Sequence, residues 1–309
     1  MVSNGATIHC QIDRQAAWIM IIWLSEFDRL VSEGVVLYDD KQTILHQQDG
    51  GLTFQFVLTS ALNKKPTAAT AGEQSKELVE KSVRPGSDID TNGYEIGHVG
   101  GSHVLVANKF CYARPHYLLL TEDGYARQYE PLNRSDLAAA WALLSSRGND
   151  KLSLFFNCGN GAGYSRLHKH MQLIPTPRNT FASFLDSADG TEPDVPFQWF
   201  YQRFSDPTVT SVGNVADTYQ KLLRKAIKAI ETCQGHETDN FPGAVCSHNV
   251  IMTTRWILVI PRRRPSVRAE SGANAMGMLG YIAVSSQADI DNWTDQGLCK
   301  LLGQLGVPK

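Results

Sequence analysis

From His168 to Gln172 a polar, chemically capable side chain recurs at every second residue: His168, His170 and Gln172. A strand sends successive side chains to opposite faces, so an extended segment presents all three on one face. The intervening Met171 and Leu173 suit a back face packed into a core. Lys169 suits it less well and is expected near the mouth of the strand. Just upstream, the run from Asn157 to Ser165 carries Gly159, Gly161 and Gly163. A glycine loop that can bring backbone N–H groups to an anion, leading into a strand with two aligned imidazoles, points to phosphate chemistry.

Three readings fit the histidines. They are packing residues satisfied by carbonyls, or two ligands of a metal, or the parts of a nucleophilic site. A metal needs a third Asp, Glu, His or Cys ligand; Cys158 is near in sequence, and nothing else is specifically spaced. As a nucleophile, a neutral imidazole attacks phosphorus and forms a phosphoramidate, dividing one hard displacement into two easier ones. It must keep its proton on one ring nitrogen, and a nearby carbonyl can fix that tautomer. The Gln172 amide, Asn157 amide, Ser165 hydroxyl and glycine-loop N–H groups are available donors for the phosphate oxygens.

The flanking chain supplies a framework. Residues 14–33 read as a helix, with Asp13 as N-cap and Gly34 past its end. Residues 35–62 have β character, with a turn at Gln48-Asp49-Gly50-Gly51, and 66–85 read as a mobile excursion. Strands are expected at 103–110, 116–120 and 151–156, with a helix over 135–146. Residues 86–101 and 176–213 read as largely irregular. A strongly amphipathic helix over 215–232 precedes strands at 249–252 and 256–260 and a C-terminal helix over 287–305. Strands come in runs rather than in βαβ alternation, which favours an α+β fold with a largely antiparallel sheet and flanking helices.

With 309 residues and 42% hydrophobic content the chain can bury a full core. It is expected to form one catalytic domain over 1–309, a part at about 35–176 with a part at about 214–309 packed on it. A net charge of -2 gives no electrostatic case for nucleic acid or a membrane surface. The run Arg262-Arg263-Arg264 reads either as a solvated strand end or as a phosphate ligand, and Lys64 and Lys65 pose the same choice. Six scattered cysteines without a CxxC pair, and no secretory leader, point to a reduced, cytoplasmic protein.

The segment Asn157-x-Gly159-x-x-x-Gly163-x-Ser165-x-x-His168-x-His170-x-Gln172 resembles the active-site signature of the diadenosine tetraphosphate phosphorylases, or ATP adenylyltransferases. These belong to the histidine-triad and galactose-1-phosphate uridylyltransferase superfamily. Further matches follow in order: 103–110 with His116, 129–141, 249–262 and 274–280. The resemblance implies a histidine-triad-like fold and reversible phosphorolysis of diadenosine tetraphosphate to ATP and ADP. His170 would be the adenylylated nucleophile, His168 its support, and Gln172 a ligand of the α-phosphate. Asn157, Gly163 and Ser165 would line the phosphate path, Lys64 would meet the distal phosphates, and Asn108 would lie near the ribose or base. It further implies a divalent cation, Mg2+, carried by the substrate phosphates rather than by protein ligands, and small-molecule partners only: diadenosine tetraphosphate, phosphate, ATP and ADP. Alternatives are a nucleotide-sugar phosphorylase or uridylyltransferase of the superfamily, or a non-catalytic nucleotide-binding protein. Uridylyltransferases usually have proline between the histidines, where this chain has Lys169.

Overall fold

The computed structural model describes residues 22–64, 84–146, 151–206, 208–233, 241–268 and 271–309. A helix over 22–32 (α1) leads to β1 (Leu37–Tyr38), β2 (Thr43–Asp49) and β3 (Leu52–Leu58). Next come β4 (Glu95–Val99), β5 (His103–Ala107), β6 (Phe110–Cys111), β7 (Tyr117–Thr121) and α2 (Arg134–Ser145). The chain continues through β8 (Leu152–Cys158), β9 (His170–Pro175), β10 (Phe200–Arg203) and α3 (Val212–Glu231). It closes with β11 (His248–Met252), β12 (Trp256–Pro261), α4 (Ala275–Met278), β13 (Tyr281–Val284), α5 (Gln287–Gln296) and α6 (Leu298–Leu305).

Eight strands form one sheet in the order β10-β12-β11-β8-β9-β7-β5-β4, and every neighbouring pair is antiparallel. This is the expected α+β architecture. The strand bearing the histidines lies inside the sheet, between β8 and β7. A second sheet, β13-β3-β2, joins residues from both ends of the chain. The β2–β3 hairpin turns on Gly50 and Gly51, both at positive φ, as a two-residue turn with the right twist requires.

Alternation along the strands separates two cores. Leu154 and Phe156 face one way, with Met171 and Leu173, against α1, α2 and α3. Phe155 and Ile174 face the other way, against the small sheet and the C-terminal helices. His170 and Gln172 alternate with Met171, so they share the second face.

Several elements depart from the sequence reading. Strands β4 and β10 occupy segments expected to be irregular; both are edge strands with polar residues, and edges carry little apolar signal. The expected C-terminal helix is broken at Gly297, whose φ of 83° no helix contains. Asp13 and residues 66–83 lie outside the described residues.

Lys169 is not at a strand mouth. It is 3% exposed, on the helix side of the sheet, with Nζ 2.7 Å from Asp136 Oδ2 and 2.7 Å from the carbonyl oxygen of Pro131. Asp136 sits in the first turn of α2, completes a capping box with Asn133, and holds His103 Nε2 at 3.0 Å through its other oxygen. Burial pushes the Asp136 carboxyl up, but His103, Lys169 and the Asn133 N–H outweigh it and hold it below its ordinary value. The strand between the two histidines is thus pinned from behind to a helix start. Removing one member leaves a buried charge without its partner. Lys169→Met is expected to cost about 3–5 kcal/mol in urea unfolding, and a loss below about 1 kcal/mol would show that the pair is not an anchor.

Candidate active site

The loop enters the histidine strand over Asp88. Its carboxylate accepts the N–H groups of Leu167 (2.8 Å) and His168 (2.9 Å). The His168 ring is fully buried. Its Nε2 lies 3.0 Å from the carbonyl oxygen of Thr121, which can only accept, so Nε2 carries the proton. Nδ1, 2.8 Å from Ser87 Oγ, then accepts from the hydroxyl. Burial, aided by the neighbouring His170, pushes the His168 pKa down to about 4. A ring enclosed in this way is a neutral spacer, and it fixes where its own backbone carbonyl points.

That carbonyl meets His170. Nδ1 of His170 is 2.8 Å from the oxygen of His168, so Nδ1–H donates and Nε2 is the lone-pair nitrogen. The expectation that a carbonyl sets the tautomer is met by the adjacent histidine of the motif itself. Two residues on, Gln172 Oε1 accepts from His116 Nε2 at 3.0 Å, which makes the Gln172 amide nitrogen the donor end. The Asn108 amide nitrogen lies 3.0 Å from the same His116 nitrogen, and Tyr112 packs edge-on against the His116 ring at 4.8 Å. Asn108 and His116 thus adjoin Gln172, which shares one face of β9 with His170.

The loop from Asn157 is held by the C-terminal half of the chain. Asn157 is buried; its Oδ1 accepts from Asn249 Nδ2 and from the backbone N–H of Ala275, both at 2.9 Å. Asn249 in turn accepts from Arg262 Nη1 at 2.6 Å and donates to the oxygen of Ala162. Arg262 is fully buried, and burial pushes its pKa down to about 9. Neither sequence reading of Arg262 holds, because it is a cation bonded to oxygens of Asn249, Leu305 and Arg264 beneath the loop. Gly163 adopts φ 80°, and a Cβ there would stand 2.8 Å from the carbonyl oxygen of Ala273, so only glycine allows this approach.

The glycine-loop N–H groups are less available than the sequence implied. Gly159 donates to the carbonyl oxygen of Gln128, Gly161 to Ser247 Oγ, Ala162 to the Gly159 oxygen and Gly163 to the Asn160 oxygen. These donors are spent on oxygens of the loop itself and of Gln128 and Ser247, and the loop's exposed hydroxyl is Ser165. Lys64 ends a 3-10 turn, Ser60–Lys64, whose start is capped by Asp39 Oδ2 at 2.9 Å from the Ser60 N–H. Lys65 lies outside the described residues. Among the described residues no group of three or more His, Cys, Asp or Glu is arranged to hold a metal ion. No described helix is long and apolar enough to cross a membrane.

The buried neutral His168 gives folding a pH dependence. Its folded value lies below the ordinary 6.5, so the unfolded chain binds the extra proton between the two values. Stability is full above about pH 6.5 and falls by roughly 3 kcal/mol as pH drops towards about 4. Denaturant titrations across this window should show a weaker pH dependence in His168→Gln than in the parent protein. Equal dependence would mean that His168 is not the group responsible.

Comparison with known proteins places this geometry. Residues 36–185 match the model of the Ap4A phosphorylase N-terminal domain, and 193–308 match that of the ATP adenylyltransferase C-terminal domain. Diadenosine 5',5'''-P1,P4-tetraphosphate phosphorylase 2 of Saccharomyces cerevisiae is 28% identical over 298 residues, covering 84% of this chain and 86% of the relative. Protein APA1 of the same yeast is 26% identical over 215 residues, 63% of this chain and 65% of the relative. The crystal structure of yeast Ap4A phosphorylase Apa2 shares the fold, with a TM-score of 0.72 at 21% identity over 94% of this chain and 97% of that one. Apa2 in complex with Ap4A gives a TM-score of 0.71 at 22% identity, with the same coverage. The two domain models together span nearly the whole described sheet and its loops, and the chain belongs to the Ap4A phosphorylase family of nucleotidyltransferases.

Proposed function

We propose that the protein catalyses reversible phosphorolysis of diadenosine tetraphosphate, giving ATP and ADP through an AMP–histidine intermediate on His170. The observation that carries the reading is the hydrogen bond from His170 Nδ1 to the His168 carbonyl, which leaves Nε2 as the nucleophilic nitrogen. Family membership and the Ap4A complex of the structurally similar yeast enzyme supply the substrate class.

In the forward step His170 Nε2 attacks the α-phosphorus. A nitrogen–phosphorus bond forms, the bond to the bridging oxygen breaks, and ATP leaves with that electron pair. The imidazole becomes cationic while Nδ1–H remains on the His168 carbonyl, whose dipole stabilises the charge. The Gln172 amide nitrogen, oriented by His116, donates to a non-bridging oxygen of the α-phosphate. In the second step inorganic phosphate attacks the same phosphorus, the nitrogen–phosphorus bond breaks, and ADP departs with neutral His170 restored. Asn157 and Ser165 serve the phosphate chain, Gly163 gives their loop its shape, Lys64 serves the distal phosphates, and Asn108 lies towards the nucleoside. A divalent cation such as Mg2+ would be carried by the substrate rather than by the described side chains, and would offset phosphate charge. The described parts of the chain act as one catalytic unit, because β10, β11 and β12 from the C-terminal half complete the sheet that carries His170. A cytoplasmic setting suits the nucleotides and the free thiols.

Gln172 supplies a neutral amide where a third histidine would offer a proton relay to water. Transfer to phosphate is accordingly favoured over hydrolysis. Incubation with diadenosine tetraphosphate should give ATP and ADP only when phosphate is present. Without phosphate, intact-mass measurement should show one AMP added to the protein. His170→Ala should abolish the adduct and lower turnover by at least about a thousandfold. Steady production of AMP and ATP without phosphate, or an adduct that survives His170→Ala, would defeat the proposal.

A further inference from the structure

Gln128, a residue outside the recognised motifs, holds the nucleophile's backbone at a break in the sheet. The β8–β9 ladder runs in regular antiparallel register from Leu152–Pro175 to Phe155–Gln172 and stops there. Beyond that pair the strands part, and residues 126–128 enter between them. Lys169 N–H donates to the Ala126 oxygen at 3.0 Å, Gln128 N–H to the Leu167 oxygen at 2.8 Å, and Gly159 N–H to the Gln128 oxygen at 3.2 Å. Arg127 makes an antiparallel bridge to His168.

At the apex of the break the ladder is completed by one side chain. Gln128 Oε1 accepts the backbone N–H of His170 at 2.7 Å. Its Nε2 donates to the His170 carbonyl at 3.0 Å and to the Asn157 carbonyl at 3.0 Å. The side chain is buried, at 1% exposure. Both polar backbone groups of His170 on this edge are therefore served by a single amide, and the same amide ties them to β8. The other edge of His170 pairs with Leu120 of β7.

This task fits glutamine alone among the common side chains. It needs an acceptor and two donors on one planar group, at the reach of two methylenes. Glutamate keeps the acceptor but turns a carboxylate towards two carbonyl oxygens, and asparagine is one methylene short. The wedge also has a geometric effect. Neighbouring strands of a ladder lie about 4.8 Å apart. Inserting an extra segment beyond the Phe155–Gln172 pair widens that spacing and turns the loop from Cys158 to Leu167 away from the His170 strand. We infer that Gln128 is a positioning residue for the adenylyl transfer. It fixes the backbone of His170, and with it the direction of Nε2, where the two strands separate to admit the phosphate chain. The inference rests on the proposed role of His170 as the residue that takes AMP.

The test uses Gln128→Met, which keeps side-chain length and removes all three hydrogen bonds, and Gln128→Glu, which keeps only the acceptor. Single-turnover reaction with diadenosine tetraphosphate in the absence of phosphate is followed by intact mass and normalised to folded protein by circular dichroism. Adduct formation by Gln128→Met should slow by roughly a hundredfold, with KM for the dinucleotide changed less than about threefold, as misplacement of a reacting group predicts. For Gln128→Glu the ratio of its rate to that of the parent protein should rise by at least about fivefold between pH 8 and pH 5.5. Protonation of the buried carboxyl restores one donor, and a merely structural residue has no such profile. A Gln128→Met rate per folded molecule within threefold of the parent overturns the inference. If that variant does not fold, a flat Gln128→Glu ratio overturns it. The parent protein separates the two claims, because adduct formation there with unimpaired variants defeats only the positioning role, whereas no adduct in the parent defeats both.

Discussion

One hydrogen bond, 2.8 Å from His170 Nδ1 to the carbonyl of His168, decides which imidazole nitrogen can act as a nucleophile. Its donor and acceptor are two residues apart, so it depends on the backbone between them being held in one conformation. The surroundings provide that from several directions. Asp88 binds the N–H groups leading into the strand, Thr121 and Ser87 enclose the His168 ring, and Lys169 fastens the intervening residue to Asp136 behind the sheet. A neutral, buried His168 is thereby used for its carbonyl, and its ring serves as the packing that aims it.

On the same face the two halves of the chain are hydrogen-bonded to each other. Strand β8 carries Asn157 from the first half, and its register partner Asn249 comes from the second. Arg262 sits beneath them, with its guanidinium bonded to Asn249 and to backbone oxygens. A buried guanidinium is costly unless its donors are satisfied, and here the satisfaction comes from groups that also shape the loop. The loop that carries Gly163 and Ser165 is thus braced by residues about a hundred positions later in the chain.

The parts of this arrangement that repeat locally were legible in the sequence. Two-residue alternation placed His170 and Gln172 together on one face, and the helical stripe of Tyr219, Leu222, Leu223 and Ala226 foretold α3. Glycine at 163 marked a tight loop, and its close approach to Ala273 explains that choice. Long-range pairings were not legible. Lys169 read as a misfit on a buried face because Asp136, its counter-ion, lies on a helix distant in sequence. Arg262 read as surface charge or a phosphate ligand because three adjacent arginines look solvated until the fold buries one of them. The glycine-loop N–H groups read as anion donors, yet most are spent on partners such as Ser247 and the Gln128 carbonyl. Sequence patterns report which way a residue faces; they do not report what the rest of the chain puts opposite it.

Nε2 of His170, and no other nitrogen, is the proposed acceptor of the adenylyl group, because Nδ1 is committed to the His168 carbonyl. Nitrogen-15 NMR of histidine-labelled protein, recorded before and after reaction with diadenosine tetraphosphate without phosphate, tests it most directly. The free protein should show an Nδ1–H tautomer for His170, and the adduct should show phosphorus coupling to its Nε2. Phosphorus coupled to Nδ1 of His170, or to either nitrogen of His168, would contradict it.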